Sequence, residues 1–286
     1  MAKLLRGAPA AAALNEKTAL AAAELRENGI IPTLAIVRVG QKESDLSYEG
    51  AALRRCDALG IETRSVVLAE TVSDEELEKV LRELSREECV DGILLFRPLP
   101  HHLDETRALR AIAPEKDVDG GTVGSLAKVY SGTGEGFAPC TARALLELLD
   151  YYEIPLEGKR VVMLGRSLVV GRPAAMLFLQ RGATVTICHS RTENTAAIAR
   201  EADILAVCTG QRALVGADYL RAGQVVLDAG IHTDPETGKL CGDVRFDEAE
   251  AIVDAVTPVP GGVGALTTAV LAAHTVCSAQ RRDKRN

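Results

Sequence analysis

A turn flanked by glycines, between a predicted strand and a predicted helix, constrains the fold of this chain more than any other segment. The apolar run Arg160-Val-Val-Met-Leu164 leads directly into Gly165-Arg-Ser-Leu-Val-Val-Gly171-Arg-Pro173. Pro173 suits the first turn of a helix, and Gly182 suits its end. Glycines in such a turn let backbone N–H groups approach a pyrophosphate at the helix N-terminus. The segment predicts a dinucleotide-binding unit, although its G-x5-G spacing is not the common G-x-G-x-x-G and a ligand-free turn is the alternative.

Strand and helix signals alternate along the rest of the chain. Strands are predicted at 32–38, 62–68, 90–96, 160–164, 183–188, 203–208 and 224–228. Helices are predicted at 11–28, 47–59, 73–88 and 141–152. Repeated β-α units are typical of a parallel sheet covered by helices. At roughly 150 residues per domain, the 286 residues predict an α/β protein of two domains, of which the second is doubly wound.

Composition argues against several function classes. The net charge of −7 has the wrong sign for a protein that binds a phosphate backbone. Only 3% of the residues are aromatic and Trp is absent, so a stacking platform for single-stranded nucleic acid is not expected. The sequence has no uncharged apolar run of about 18 residues, and Arg6 and Pro9 interrupt the apolar N-terminal region. These features predict a cytoplasmic enzyme of small metabolites.

The seven cysteines form no C-x-x-C pair, and their number is odd. This argues against a disulfide framework and against a structural zinc site. His101, His102 and Asp104 have no further residue at metal-ligand spacing, so we expect a solvated loop there. No metal is predicted.

The end of the strand at 183–188 indicates which dinucleotide is bound. A site selective for NAD often has an acidic residue there, which bonds the ribose 2′-hydroxyl. Here the strand is followed by His189-Ser190-Arg191, and Arg166 lies in the glycine turn. Two cations and a hydroxyl suit a 2′-phosphate and favour NADP. The alternative is that both arginines are solvated surface residues.

Three further segments combine carboxylates or prolines with glycines. They are Asp117-Val-Asp-Gly-Gly121, Asp228-Ala-Gly-Ile-His232 and Thr257-Pro-Val-Pro-Gly-Gly-Val-Gly264. Loops at the carboxyl ends of parallel strands are where ligands bind in such sheets. Each segment is therefore a candidate ligand loop, with an ordinary turn as the alternative.

Taken together, these segments resemble the methylenetetrahydrofolate dehydrogenase/cyclohydrolase family. The matches occur in the family's order and spacing from about Pro32 to Val276. The motifs that carry the resemblance lie at 114–120, 137–141, 165–173, 183–192, 242–244 and 257–264.

The resemblance implies two α/β domains around a folate cleft. Residues 1–142 would form the folate-binding catalytic domain, completed by a C-terminal helix at 265–286, and residues 143–264 would form a Rossmann-like NAD(P)-binding domain. Family members are typically homodimers that use NADP, less often NAD, and no nucleic-acid or membrane partner is expected. The folate contacts implied are Tyr48, Pro98, Asp119, Pro260, Gly261 and Gly262, of which Tyr48 and Asp119 would be catalytic. The cofactor contacts implied are Gly165, Arg166, Ser167, Val170, Gly171, His189, Ser190, Arg191, Cys208, Thr209, Gly210, Ile231 and Thr267.

The chain departs from the family in the folate site. The family's signature there is a tyrosine followed four residues later by a lysine, and its strand motif reads V-Q-L-P-L-P. Tyr48 matches the tyrosine, but Ala52 stands where the lysine belongs. The strand motif is Leu95-Phe96-Arg97-Pro98-Leu99-Pro100, so Phe96 replaces the glutamine that usually bonds the lysine. Asp119, the third member of the polar set, is retained.

The two reactions of the family depend differently on these residues. Oxidation of the methylene bridge removes a hydride and needs no proton abstraction, so holding the folate near the nicotinamide suffices. Hydrolysis of the methenyl product needs a group that exchanges protons, which Ala52 and Phe96 lack. Arg54 and Arg55 remain protonated and do not serve as bases.

The sequence therefore predicts a methylenetetrahydrofolate dehydrogenase with weak or absent cyclohydrolase activity. The first alternative is a bifunctional enzyme in which other residues rescue hydrolysis. A second is a related dehydrogenase with a different small substrate, because a fold does not determine its function. A third is a folate- or nucleotide-binding regulatory protein without catalytic activity.

Overall fold

A computed structural model describes residues 1–284 of the chain as two compact units. Residues 1–12 and 141–267 form the first, which we call the six-stranded unit after its sheet. Residues 13–140 and the described part of 268–286 form the second, which we call the three-stranded unit. The last two residues of the helix predicted at 265–286 lie outside the described residues.

Strands and helices alternate along most of the described chain. The strands are β1 (Lys3–Leu4), β2 (Thr33–Val39), β3 (Glu62–Leu68), β4 (Gly92–Leu95), β5 (Arg160–Leu164), β6 (Thr184–Cys188), β7 (Ile204–Val207), β8 (Val225–Asp228), β9 (His232–Thr233), β10 (Leu240–Cys241) and β11 (Ala255–Val256). The helices are α1 (Gly7–Glu27), α2 (Glu43–Ala58), α3 (Asp74–Arg86), α4 (Glu105–Arg110), α5 (Val123–Ser131), α6 (Cys140–Tyr151), α7 (Gly171–Gln180), α8 (Thr195–Arg200), α9 (Phe246–Ile252) and α10 (Thr267–Asp283).

The six-stranded unit contains one parallel sheet in the order β1-β11-β8-β7-β5-β6. Its central strands β5 and β7 are almost wholly buried, as expected for a parallel sheet that is covered on both faces. In the register of β5, Leu164 lies opposite Cys188 of β6 and Val207 of β7. The three strands therefore end level with one another, and the loops that follow them share one edge of the sheet.

The three-stranded unit contains a parallel sheet in the order β3-β2-β4. Helix α3 packs three leucines into its core, Leu77, Leu81 and Leu84, at the spacing of one helix face. The Ser73 side chain caps α3 by accepting the backbone N–H of Glu76. Helix α10 completes the unit, since His274 bonds the carbonyl of Val118 and stacks on the Phe137 ring.

The predicted α/β architecture is confirmed. All seven predicted strands are present, with ends that differ by at most two residues. Helix α1 begins four residues before its predicted start because Pro9 lies in its first turn, where the missing N–H costs nothing. Helix α2 also begins earlier, at Glu43, without a side-chain cap. The two-residue strands were not predicted because they are too short to show a period.

One segment of the described chain, Val263–Asp283, is long and apolar enough by length and composition to cross a membrane. However, 56% of its apolar window is buried inside the protein. Buried residues of α10 include Val270, Leu271 and Thr275. Because core helices pass the same test, the segment is weak evidence for a membrane span.

The described cysteines are all free, and Cys56, Cys140 and Cys188 are buried. Within residues 1–284, His, Cys, Asp and Glu side chains form no cluster that fits a metal ion. The Nε2 atom of His102 bonds the carbonyl of Val72, and Asp104 caps α4 through two backbone N–H groups. These side chains therefore have structural partners.

Candidate functional site

A cavity of about 470 Å³ opens at the carboxyl edge of the six-stranded sheet. It lies where β5, β6 and β7 end, the place predicted for a ligand in such a sheet. Seven of the thirteen predicted cofactor residues line it: Gly165, Arg166, Ser167, His189, Ser190, Cys208 and Thr209. The lining also contains residues that sequence reasoning did not assign: Leu164, Cys188, Thr192, Thr195, Gln211, Leu214 and Tyr219.

Close backbone packing explains the glycines of the turn after β5. Gly165 has φ +123°, and a Cβ atom there would lie 2.3 Å from the carbonyl oxygen of Cys208. A Cβ atom on Gly171 would lie 2.3 Å from the carbonyl oxygen of Gly165. The Ser167 Oγ accepts the backbone N–H groups of Val170 and Gly171 at 3.1 and 3.3 Å. The turn thus presents the N-terminus of α7 at the edge of the sheet, a geometry that suits phosphate.

The loop after β6 is shaped by hydrogen bonds around His189. The backbone N–H of His189 donates to Thr192 Oγ1, and His189 Nδ1 accepts the backbone N–H of Arg191. Ser190 and the exposed Arg166 line the cavity. Among the described lining residues there is no carboxylate. This polar, cationic rim fits a phosphorylated ribose.

The other six predicted cofactor residues lie outside the lining of this cavity: Val170, Gly171, Arg191, Gly210, Ile231 and Thr267. Val170 and Gly171 belong to the glycine turn itself, and Gly210 follows the lining residue Thr209. The Ile231 side chain is 64% exposed. Thr267 begins α10, and its hydroxyl donates to the carbonyl of Gly264.

A fully buried carboxylate, that of Asp243, organises the loop after β7. Its Oδ2 accepts the backbone N–H groups of Thr209 and Gly210 and the Thr209 hydroxyl. Its Oδ1 lies 2.7 Å from Nε2 of His232. Asp243 therefore holds in place the backbone that borders the cavity.

Asp228, at the end of β8, satisfies a second set of backbone groups. Its carboxylate accepts the N–H groups of Gly230, Asp243 and Val244 at 2.9, 3.2 and 2.9 Å. Burial raises the pKa of Asp228 to about 6, against the lowering effect of these bonds. The candidate loop 228–232 is thus tied to the segment that contains Asp243.

The loop at 257–264 is anchored to the start of α1. The backbone N–H of Gly7 donates to the carbonyl of Gly261 at 2.8 Å. Pro260 and Gly261 are exposed, whereas Gly262 is buried. Two of these three predicted folate contacts therefore lie on the surface of the six-stranded unit.

Aromatic rings meet at the predicted folate site of the three-stranded unit. The rings of Tyr48 on α2 and Phe96 after β4 pack edge to face, with centroids 5.8 Å apart. One turn after Tyr48, the Ala52 side chain is 1% exposed. Positions 96 and 52 thus hold an apolar ring in contact with Tyr48 and a buried methyl group one helical turn from it.

The segment that carries Phe96 also reaches Asp119. Nη2 of Arg97 lies 3.2 Å from Oδ2 of Asp119, and Nη1 lies 3.4 Å from Oε1 of Glu105. Burial raises the pKa of the Asp119 carboxyl to about 6, although 28% of its side chain stays exposed. Burial and the neighbouring Asp119 raise the pKa of the Cys140 thiol well above its usual value.

Sequence reasoning assigned no role to Arg97, Glu105 or Cys140. The sequence feature that could have indicated a role was Arg97 itself, because it places a charge where the family motif has leucine. Asp117, which was a candidate, accepts the backbone N–H groups of Gly121 and Thr122 and so shapes the turn. Pro98 is exposed, and its carbonyl accepts the ammonium of Lys42 at 2.8 Å.

The parallel sheet, its glycine turn and the cavity at its carboxyl edge define a two-unit α/β protein with a dinucleotide-binding site. The chain belongs to the tetrahydrofolate dehydrogenase/cyclohydrolase family. The model of the family's catalytic domain matches residues 5–119, and the model of its NAD(P)-binding domain matches residues 139–283.

Relatives and solved structures agree with this membership. A bifunctional protein FolD of Carboxydothermus hydrogenoformans is 50% identical over 277 residues, which covers 96% of each chain. The bifunctional enzyme FolD of Campylobacter jejuni has a crystal structure with a TM-score of 0.95 at 36% identity, covering 99% of this chain and 100% of that one. The FolD enzyme of Trypanosoma brucei, solved with NADP and an inhibitor, has a TM-score of 0.91 at 34% identity, covering 100% and 99%.

Gly165→Ala is expected to disrupt the cavity. The added methyl group meets the Cys208 carbonyl, and an alanine held at φ +123° is in a region that L residues rarely adopt, at a cost of about 1–3 kcal/mol even without a clash. We expect a loss of more than about 2 kcal/mol in the free energy of unfolding, and loss of NADP binding by calorimetry. Gly158→Ala, with φ +71° and no atom within 4 Å of the new Cβ, is the matched control and should keep NADP binding. Equal effects of both changes would contradict the role of close packing.

Asp228→Asn is expected to change how stability depends on pH. Because the pKa of Asp228 is raised from 3.8 to about 6 in the fold, the folded state holds its proton longer than the unfolded state. The contribution of Asp228 to the free energy of unfolding of the wild type therefore falls as pH rises from about 4 to about 6. The variant lacks this decline but loses an acceptor for Val244, which costs about 1–3 kcal/mol.

The free energy of unfolding of Asp228→Asn should therefore lie further below that of the wild type at pH 4.5 than at pH 7. Urea unfolding at the two pH values measures this difference. Asp254→Asn, which alters an exposed acceptor of the Gly223 N–H, is the control and should show no such trend. A deficit that is the same at both pH values would disprove the assignment.

Proposed function

We propose that this protein is a methylenetetrahydrofolate dehydrogenase with weak or absent methenyltetrahydrofolate cyclohydrolase activity. The observation that carries the proposal is the pairing of Phe96 with Tyr48, together with the buried Ala52 one helical turn after Tyr48. In the bifunctional members of the family, positions 52 and 96 correspond to a lysine and a glutamine. The class of reaction thus comes from the family resemblance, and the expected weakness or absence of cyclohydrolase activity comes from these two positions.

The proposal divides the two ligands between the units. Residues 1–142 with 265–286 would bind the folate, and residues 143–264 would bind the dinucleotide. The boundaries of the two compact units, near residues 12, 140 and 267, support this division apart from the first strand and the start of α1.

NADP is the proposed hydride acceptor, and its nicotinamide would supply the redox chemistry. The glycine turn and the N-terminus of α7 would receive the pyrophosphate, since backbone N–H groups and the helix dipole favour negative charge there. Arg166 and Ser190 would receive the 2′-phosphate, with no described carboxylate in the lining to repel it. The NADP in the Trypanosoma brucei structure supports this choice.

Oxidation needs orientation rather than proton transfer. The cation left after hydride loss is stabilised by the two folate nitrogens, so the protein has to hold the reacting carbon in place. Tyr48 would pack on the folate, and the Asp119 carboxylate would accept N–H groups of the pterin. Both side chains are only partly buried, so a ligand can contact them.

Hydrolysis needs a group that delivers and removes protons during attack by water. Neither Ala52 nor Phe96 has a polar atom on its side chain. Arg55 donates through Nε to Thr268 Oγ1 at 2.9 Å, and its neighbour Arg54 is exposed. This engagement of Arg55 with α10 supports the view that it does not replace the lysine.

A bifunctional enzyme is the second candidate, and Lys42 is the observation that favours it. Its ammonium bonds the carbonyl of Pro98, two residues after Phe96. An amine in this position would be a substitute proton carrier. If the wild type hydrolyses methenyltetrahydrofolate and Lys42→Met abolishes that activity, the bifunctional alternative is correct.

Two further parts of the proposal concern location and assembly. We keep the cytoplasmic location predicted from the sequence features, and we expect a homodimer from the family resemblance. Sedimentation equilibrium at micromolar concentration tests the second expectation, and a monomer mass would contradict it.

Arg166→Ala is expected to weaken the binding of NADP but not that of NAD. Loss of a charged contact to the 2′-phosphate should raise the KM for NADP about tenfold, equivalent to about 1.4 kcal/mol, and leave the KM for NAD nearly unchanged. Dehydrogenase rates with both cofactors measure this. Arg172→Ala removes another exposed arginine near the turn and should affect neither cofactor. Equal losses for NADP and NAD would contradict a contact with the 2′-phosphate.

Ala52→Lys combined with Phe96→Gln is expected to create cyclohydrolase activity. The lysine restores a proton carrier and the glutamine gives it a hydrogen-bond partner, so hydrolysis of methenyltetrahydrofolate should rise at least about a hundredfold, the low end of what such catalysis contributes. Ala52→Lys alone is the control: a buried lysine without that partner should lower stability. A double variant that folds and binds folate without added hydrolysis would show that the explanation of the loss is wrong.

A further inference from the structure

Arg97 is a charged residue at a position where the family motif has leucine. It follows Phe96 directly after β4, and its side chain is only 17% exposed. A guanidinium with so little contact with water needs charged or hydrogen-bonding partners. Its environment therefore shows what the charge does in this chain.

The guanidinium of Arg97 connects two carboxylates. Its Nη2 lies 3.2 Å from Oδ2 of Asp119, and its Nη1 lies 3.4 Å from Oε1 of Glu105. Gly121 leaves room for this arrangement, because a Cβ atom there would lie 3.0 Å from Nη2. Glu105 is 40% exposed, whereas Asp119 is 28% exposed. The bond to Asp119 is therefore the more sheltered of the two.

Several groups act on the charge of Asp119. Burial disfavours the ionised carboxylate most strongly, and the neighbouring Asp117 also disfavours it. Arg97 opposes both by its charge and its hydrogen bond, and the Cys140 thiol adds a weaker hydrogen bond. Of these groups, Arg97 is the cation that keeps Asp119 ionised near neutral pH.

We infer that Arg97 is a positioning residue of the folate site: its guanidinium holds Asp119 ionised and fixes the carboxylate through Oδ2, so that Asp119 accepts the N–H groups of a pterin. This inference rests on the proposed function. A carboxylate has about four acceptor positions, so the bond to Arg97 leaves others for a ligand. The positive charge lost at position 52 is thus partly replaced at position 97, where it orients the substrate without exchanging protons.

Arg97→Leu, which restores the family's usual residue, is the first test. Removal of the cation should raise the pKa of Asp119 by about 1–2 pH units. The ionised fraction of Asp119 at pH 7 would then fall, so the dissociation constant of tetrahydrofolate, measured by calorimetry, should rise about two- to tenfold at pH 7 and approach the wild-type value by pH 9. Arg97→Lys keeps a charge there and should restore much of the affinity at pH 7. If Arg97→Leu fails to fold, Arg97→Gln replaces it.

Two control variants separate this effect from general damage. Arg110→Leu removes an exposed arginine of α4 and should leave the affinity unchanged. Glu105→Gln removes the other carboxylate partner of Arg97 and should leave the pH dependence close to that of wild type. A loss of affinity in Arg97→Leu that is equal at pH 6, 7 and 9 would overturn the inference, because a purely structural role predicts that result.

A readout without folate distinguishes failure of the inference from failure of the proposed function. The carboxyl ¹³C signal of Asp119 is assigned by comparison with Asp119→Asn and followed as a function of pH. The midpoint of its titration should lie at higher pH in Arg97→Leu and stay near the wild-type midpoint in Arg97→Lys. An unchanged titration overturns the inference even if the enzyme is active. If the wild type neither binds tetrahydrofolate nor oxidises its methylene derivative, the assignment of the folate site is wrong. The role of Arg97 is then limited to setting the charge of Asp119.

Discussion

Two buried carboxylates hold together the edge of the sheet where the cavity at the ends of β5, β6 and β7 lies. Asp243 bonds the backbone of the loop after β7, and Asp228 bonds the backbone that leads into Asp243. The loops that end parallel strands have no partners in the sheet, so their N–H groups need other acceptors. Burial of these carboxylates costs free energy, and the structure offsets that cost with several backbone bonds to each. The cavity beside Gly165 depends on this arrangement.

The three-stranded unit has a different balance of charge. Its predicted folate site combines an aromatic pair, Tyr48 and Phe96, with one ion pair, Arg97 and Asp119. In the proposed function, the aromatic surface and the ionised carboxylate bind and orient a pterin, whereas the lysine and glutamine that the family has at positions 52 and 96 are replaced by Ala52 and Phe96. The same residues thus account for the reaction that is proposed to remain and for the one proposed to be lost.

Much of this organisation could be predicted from the sequence. The long apolar strands β5 and β2 and the glycine turn were predictable because burial, period and turn chemistry agree there. The first strand was not, since Lys3–Leu4 pairs with β11 through backbone bonds that leave no hydropathy signal. The contact of Arg97 with Asp119 also could not be predicted, because 22 residues separate them and only the fold brings them together.

One experiment tests the central claim directly: purified wild-type protein is mixed with methylenetetrahydrofolate and NADP, and reduced cofactor and methenyltetrahydrofolate are followed in the same sample. The account predicts that the two products accumulate in equal amounts, because oxidation proceeds and hydrolysis does not exceed the enzyme-free rate. If reduced cofactor forms while methenyltetrahydrofolate disappears faster than in the enzyme-free control, hydrolysis survives without the lysine and the account of Ala52 and Phe96 is contradicted.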